Sequence, residues 1–405
     1  MSATHAAAGE VVGSVLLPAI DGQVGYLHHA RIAWQHGKIN EIQELAGDPP
    51  LQSPVLLPGF VDLHIHWPQA HVRGHFSGAL LPWLRESIWP AEAEFASKDA
   101  ALQYAQRFVA AAQRAGTCAG LFFGAPFAQA SRVFASVAPR GWLEGPALME
   151  RNAPEVLLTP AAELLADLQA HGPHGFAVTP RFAPNLSEAG LAECGKVARH
   201  LASPVQSHLS ENVDEMAWVQ QLFPDACDYL DVYDHAGLLG PRTVLAHGIH
   251  LSDRELNRLA QTQTLIAHCP TSNVALSSGR MPLERLREAQ VPWVLASDVG
   301  AGPRLALLDA MAAFMQVHQG FATIAASEAL CRATAIPGHW LSQFDPQLAG
   351  LGTLAVGAPA HVVALPRLGT GVAAALHGLL AKPTEQLETL PNKVWCWGQP
   401  IRCAP

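Results

Sequence analysis

His64 and His66 close the apolar run "LLPGFVDLHIH", separated by a single residue. Along an extended chain the side chains alternate, so both imidazoles point to the same side. Such a pair is half of a metal site, or two core residues that happen to be neighbours. Three more polar residues sit in comparable places: His208 in "PVQSHLS", His247 in "TVLAHGIHL" and Asp298 in "PWVLASD". Singly, a histidine at a strand end is more often a hydrogen-bonded core or surface residue, and Asp298 could cap its own loop. Joint placement at the ends of four apolar segments points instead to one shared ion. Three neutral imidazoles and a carboxylate suit Zn²⁺, and Fe²⁺ or Mn²⁺ also fit such a set. An ion with an open position lowers the pKa of its water to about 7 and supplies hydroxide as nucleophile. That chemistry needs a proton carrier. Glu211, three residues after His208 in "HLSEN", could take the proton and pass it on. It could equally be a helix N-terminal acid, a role open to Asp214 and Glu215 as well.

These residues must be brought together by the elements that carry them. From Pro54 onward, short apolar strands alternate with helical stretches, the pattern of parallel β/α units. The eight candidate strands are "VLLPGFVDLHIH", "CAGLFFGAP", "WLEGPALME", "GFAVTPRF", "PVQSHLS", "TVLAHGIHL", "TLIAHCP" and "PWVLASD". Helices separate most of them. One begins at Ser97 as N-cap and stops at Gly116; another opens on the capping box "SDRE" at Ser252 to Glu255. Eight strands over roughly 250 residues match a (β/α)8 TIM-type barrel, whose active site lies at the C-terminal strand ends. Both chain ends read as β: "EVVGSVLLPA" and "YLHHARIAWQHGKINEIQ", with a hairpin at "HGKIN", then "LGTLAVGAPAHVVALP" and "NKVWCWGQPIR". The expected organisation is therefore a composite small β-sandwich domain from residues 1–55 and 345–405 around a barrel of residues 56–344.

Composition narrows the function. The 405 residues carry 25 Lys and Arg against 34 Asp and Glu, a net charge of −9, with no basic cluster. A nucleic-acid groove needs a basic stripe, so nucleic acid is excluded as a partner. No apolar run approaches the roughly 18 residues of a membrane span, and the N-terminus lacks a basic segment before an apolar core. Seven cysteines without a C-x-x-C pair argue against a disulfide framework. The expected location is the cytoplasm. "VGAG" before Pro303 lacks the third glycine of a phosphate loop, and G-x-S-x-G, H-E-x-x-H and H-x-E…P-C-x-x-C are absent.

At this point the motifs carry a resemblance. "PGFVDLHIHWPQ", "LPWLRESIWPAE", "MERNAP", "TPRFAP", "QSHLSEN", "YLDVY", "AHGIHLS", "AHCPTSN" and "SDVGAG" follow the order seen in the amidohydrolase superfamily, and within it in the guanine deaminase family. The H-x-H marks only the superfamily; "TPRFAP", "SHLSEN" and "HCPTSN" together are more specific. The resemblance implies a metal-bearing barrel, usually a homodimer, that hydrolyses guanine to xanthine and ammonia. Carried over by motif, His64, His66, His208 and Asp298 would bind one zinc per chain. Gln69, Arg181 and Phe182 would contact the purine, and Glu211 would shuttle the proton. His247 would lie beside the bound water, and Asp298 could accept a proton and later deliver one to departing ammonia. Without the resemblance, Arg181 reads as a surface ion pair and Phe182 as ordinary core.

Three departures bear on the choice of ring. Phe127 stands where the family has a histidine, Pro303 and Arg304 stand where small hydroxyl residues are usual, and "GAPAHVVAL" lacks an acidic residue. Another aminated ring, such as 8-oxoguanine, another aminopurine or an aminotriazine, therefore stays open as substrate. A catalytically silent scaffold is a more distant alternative, since the whole residue set is present. The fourth strand has no lysine to bridge two metals, which favours one ion.

Overall fold

The computed structural model describes residues 8–76, 78–172 and 175–401. Fourteen strands are present among them. Four come from the start of the chain: β1 (Gly9–Pro18), β2 (Val24–Gln35), β3 (Lys38–Glu44) and β4 (Val55–Pro58). Seven follow in the central region: β5 (Phe60–His66), β6 (Thr117–Gly124), β7 (Trp142–Pro146), β8 (Val205–Leu209), β9 (Thr243–His247), β10 (Leu265–His268) and β11 (Trp293–Leu295). The last three are β12 (Val362–Leu365), β13 (Lys393–Cys396) and β14 (Gln399–Pro400).

Both ends of the chain join one mixed sheet in the order β14-β13-β12-β4-β1-β2-β3. The "HGKIN" hairpin forms as expected, with His36 at φ 54° and Gly37 at φ 73°. Positive φ at both turn residues matches the right-handed twist of the strands they join. The expected sandwich is corrected to a single curled sheet. Trp34 on β2 and Trp395 on β13 are four strand positions apart, yet their rings meet edge-on at 5.7 Å. A flat sheet would separate them by about 19 Å at the usual strand spacing. Curling thus encloses the same kind of apolar layer that two facing sheets would, built from Val15, Ile32, Trp34, Leu56, Val362 and Trp395.

The long first strand expected from "VLLPGFVDLHIH" is two strands. β4 pairs with β1 and β12 in the mixed sheet, whereas β5 pairs with β6. Gly59 stands at the break, where a side chain has no room because a Cβ there would lie 2.5 Å from Cys118 Sγ. In the tail, "LGTLAVGAPA" is not strand, and β character begins only at Val362.

The central strands are parallel, in a three-stranded sheet β5-β6-β7 and a four-stranded sheet β11-β10-β9-β8. The expected fourth strand is irregular: Val178 and Pro180 form isolated bridges to Val205 and Leu148. Pro180 has no N–H to give a ladder, which limits regular pairing there. Backbone bonds still tie this segment on both sides, Leu148 N to Thr179 O at 3.0 Å and Gln206 N to Val178 O at 3.0 Å. On the far side Asp298 N donates to His64 O at 2.9 Å, and His66 N to Val299 O at 2.8 Å.

Helices follow most strands, with the sequence caps in place. Ser97 caps Lys98–Arg114, Ser187 caps Glu188–Leu201, and Ser252 with Glu255 forms the capping box of Asp253–Thr262. Among the described residues no helix is long and apolar enough to cross a membrane.

Candidate active site

Four strand ends deliver the expected residues to one place. His64 and His66 close β5, His208 lies in β8, His247 ends β9, and Asp298 follows β11 by three residues. Two of these backbones are left-handed, His247 at φ 73° and Asp298 at φ 49°. For a histidine this conformation costs about 1–3 kcal/mol and persists only where surrounding structure enforces it. Here it turns the chain sharply, so that the side chains face the common centre.

The side chains of His64, His66, His208 and Asp298 offer ligand atoms that all lie within 4.8 Å of one another. His66 and His208 bring their Nε2 atoms to 3.1 Å, and Asp298 Oδ1 is 3.3 Å from His64 Nε2 and 3.5 Å from His66 Nε2. Burial foremost, then neighbouring charges, holds all three imidazoles well below their usual pKa. They are neutral and keep lone pairs to offer. Nε2 of His64, which faces Asp298, has no hydrogen-bond partner among the described residues. A buried polar atom left unpaired is costly, and a metal bond at Nε2 would remove that cost. His208 Nδ1 lies 2.5 Å from the carbonyl oxygen of Arg181. A carbonyl only accepts, so Nδ1 carries the proton and Nε2 keeps its lone pair for a metal, the usual arrangement of a metal-bound histidine. Phe123 stacks under His66 at 4.7 Å and fixes that ring. The donor set fits a divalent ion. A second grouping of His247, Cys269 and Asp298 fits less well, because burial keeps the Cys269 thiol protonated.

Glu211 faces this cluster. Its Oε2 is 3.5 Å from His247 Nε2, and its Oε1 accepts from Ser278 Oγ at 3.0 Å. Burial, with Asp298 nearby, raises its pKa to about 8; burial raises that of Asp298 to about 6. The helix-capping role that sequence left open to Glu211 belongs to Glu215. Glu215 forms a capping box with Asn212 on the helix Val213–Leu222, accepting from Glu211 N at 2.9 Å and Asn212 N at 3.2 Å. Asp214 is exposed at the helix start. His247 is held from behind, its Nδ1 2.9 Å from Asn273 Oδ1.

A pocket opens over these groups. Gln69, Arg181 and Phe182 line one part of its wall, with Leu80, Trp83, Leu84, Leu276 and Ala301 as an apolar cover. Arg181 is not a surface ion pair: it is 3% exposed and bonded to buried Glu92. Phe182 is both core and wall, packed edge-on against Trp218 at 5.9 Å. Phe127, Pro303 and Arg304 do not line the cavity; Arg304 pairs with Asp309 at 3.3 Å. Sequence reasoning assigned no role to Glu92, Trp83, Asn273 or Ser278. The first three fall in quoted motifs, "LPWLRESIWPAE" and "AHCPTSN", which was the available signal.

Parallel strands feeding polar residues into a His/Asp cluster at their C-terminal ends define a metal-dependent hydrolase class. Residues 55–396 match the Amidohydrolase family, and the chain belongs to it. Among its relatives is the guanine deaminase of Escherichia coli, 34% identical over 69% of this chain and 66% of that protein. The solved structure of E. coli guanine deaminase superposes with a TM-score of 0.87, covering 98% of this chain and all of that one, at 26% identity. A probable guanine deaminase of Deinococcus radiodurans is 40% identical over 64% of this chain and 61% of its own length. The aligned part thus spans slightly less than two thirds of these curated relatives. The guanine deaminase from C. acetobutylicum, solved with guanine in its active site, is similar at a TM-score of 0.83 and 25% identity, covering 98% and 100% of the two chains.

Proposed function

We propose that this protein hydrolyses guanine to xanthine and ammonia at a single zinc ion held by His64, His66, His208 and Asp298. The observation that carries the proposal is the placement of Glu211 beside a metal-competent cluster, under a cavity walled by Arg181, Gln69 and Phe182. Bound there, the ion would supply an activated water near neutral pH. We further infer that the parallel strands and the bridged segment 177–181 form one closed eight-membered barrel, with residues before Gly59 and in the tail as a separate β domain. A homodimer in the cytoplasm is part of the same proposal.

The residues then divide the work. The lining of Phe182, Trp83 and Leu276 suits the faces of a flat aromatic ring, and Arg181 can hold a ring carbonyl oxygen while Gln69 addresses the neighbouring edge. Excluding water from the ring faces strengthens these polar contacts. Glu211, with its pKa near neutral range, takes the proton of the attacking water and gives it to the ring nitrogen next to C2. The C2–O bond forms and the bond from C2 to the exocyclic amino nitrogen breaks. Asp298 Oδ2, 3.9 Å from His247 Nε2, is placed to receive the second proton and return it to departing ammonia. His247, steadied by Asn273, faces the oxygen of the tetrahedral carbon.

Ammonia release from guanine, adenine, 8-oxoguanine, cytosine and ammeline by the metal-loaded protein tests the proposal. Guanine should be fastest. Equal rates on every ring would remove the substrate assignment, and no release from any of them would favour a silent relative.

A further inference from the structure

Glu92 stands behind the cavity wall, 1% exposed and outside the lining itself. Its Oε1 accepts from Gln69 Nε2 at 2.8 Å and from Arg181 Nη1 at 2.7 Å, and its Oε2 accepts from the same Nη1 at 2.8 Å. An ionised carboxylate accepts hydrogen bonds and donates none. The Gln69 amide therefore has one orientation, its NH₂ turned to Glu92 and its carbonyl oxygen turned away. Gly300 keeps that oxygen reachable, because a Cβ at this position (φ 101°) would lie 2.1 Å from Gln69 Oε1. Arg181 gives one nitrogen to Glu92 and retains the N–H groups of Nε and Nη2. The wall thus sets one acceptor beside a group of donors.

We propose that Glu92 is a positioning residue that fixes this polarity, so that the site takes a lactam edge, N–H beside C=O, and rejects an amidine edge. The proposal rests on the function above, in which Gln69 and Arg181 face the substrate. An amidine edge presents an unprotonated nitrogen beside an amino group and reverses both partners. Each mismatch leaves a buried polar group unpaired, which is a large penalty in a closed site. Glu92→Gln keeps the shape but adds a donor, so the Gln69 amide can turn over and the polarity is no longer dictated.

Isothermal titration of the metal-loaded protein with hypoxanthine and adenine reads the polarity directly. Both rings lack the amino group at C2, so the comparison does not depend on guanine turnover. The wild-type protein should bind hypoxanthine on the order of 100-fold more tightly, as two mismatched hydrogen bonds imply. In Glu92→Gln that ratio should fall to about tenfold as one bond is relieved, with metal content unchanged and KM for guanine rising more than kcat falls. Gln69→Met, which removes the oriented amide but leaves the Glu92 carboxylate and its bonds to Arg181 in place, should lower the ratio in the same direction. An unchanged ratio in Glu92→Gln, or no preference in the wild type, overturns the proposal. So does loss of metal and thermal stability in step with an unaltered ratio, which would mark Glu92 as purely structural. If the preference and its loss are found but guanine is not deaminated, the proposed function fails while the role of Glu92 stands.

Discussion

Three carboxylates in and around the candidate site show how environment alone separates their roles. Glu215 is held by backbone N–H groups and the Tyr229 hydroxyl, so it secures the helix start. Glu211 has one donor and faces the cavity, which suits the proton transfer proposed for it. Glu144 lies deep behind Trp67, and burial raises its pKa from 4.5 to about 8 despite donors from Ser131 and Trp67. Between those values the folded state keeps a proton that the unfolded chain has lost. Unfolding then releases a proton, so stability falls as pH rises from about 4.5 to about 8, and levels off above. The slope is at most about 1.4 kcal/mol per pH unit. Glu144→Gln should remove this component, so the variant gains on the wild type as pH rises from 5 to 8. Parallel denaturation midpoints across that range would show that Glu144 is ionised in the folded protein. At this scale the clustered histidines were legible because each ends an apolar run. Glu92 was not, because its meaning depends on two partners 23 and 89 residues away that only the fold brings to it.

The elements position the site by breaking their own regularity. β4 and β5 divide at Gly59, the 177–181 segment interrupts its ladder at Pro180, and the chain after β11 turns through left-handed Asp298 and Gly300. Strand and helix periodicity made the parallel units, the caps and the first hairpin readable, since those follow from local chemistry. The curled sheet and the irregular fourth strand were not readable, because they depend on packing between distant segments. Gly300 gives a direct test. Alanine there meets both an unfavourable φ and Gln69, so kcat/KM for guanine should fall by about 5- to 150-fold from strain of ~1–3 kcal/mol. Gly22→Ala, also left-handed but with open space around it, should leave activity unchanged. Equal effects of the two substitutions would show that the Gln69 contact does not matter.

Across the whole molecule, the metal-competent cluster joins residues from position 64 to position 298. An ion bound there crosslinks strands at opposite ends of the central region. The tail also reaches the loops that follow β5 and β11, where Glu388 accepts from Arg73 Nη2 at 3.2 Å and from Leu305 N at 3.0 Å. Binding to the folded state alone stabilises it by about 4 kcal/mol when free metal exceeds Kd by 1,000-fold. Chelation should therefore lower the thermal midpoint and added Zn²⁺ should restore it, while His66→Ala should show neither response. A midpoint indifferent to chelator in protein shown to have lost its metal would argue that the cluster is not the binding site.

The central claim is that Glu211 moves protons beside a metal held by other residues. Ammonia release from guanine by Glu211→Gln, with metal counted in the same sample, tests it most directly. The account predicts a full metal complement and turnover reduced by about 10²–10⁴-fold, the usual contribution of a general acid–base group. Wild-type turnover by the metal-loaded variant would contradict it.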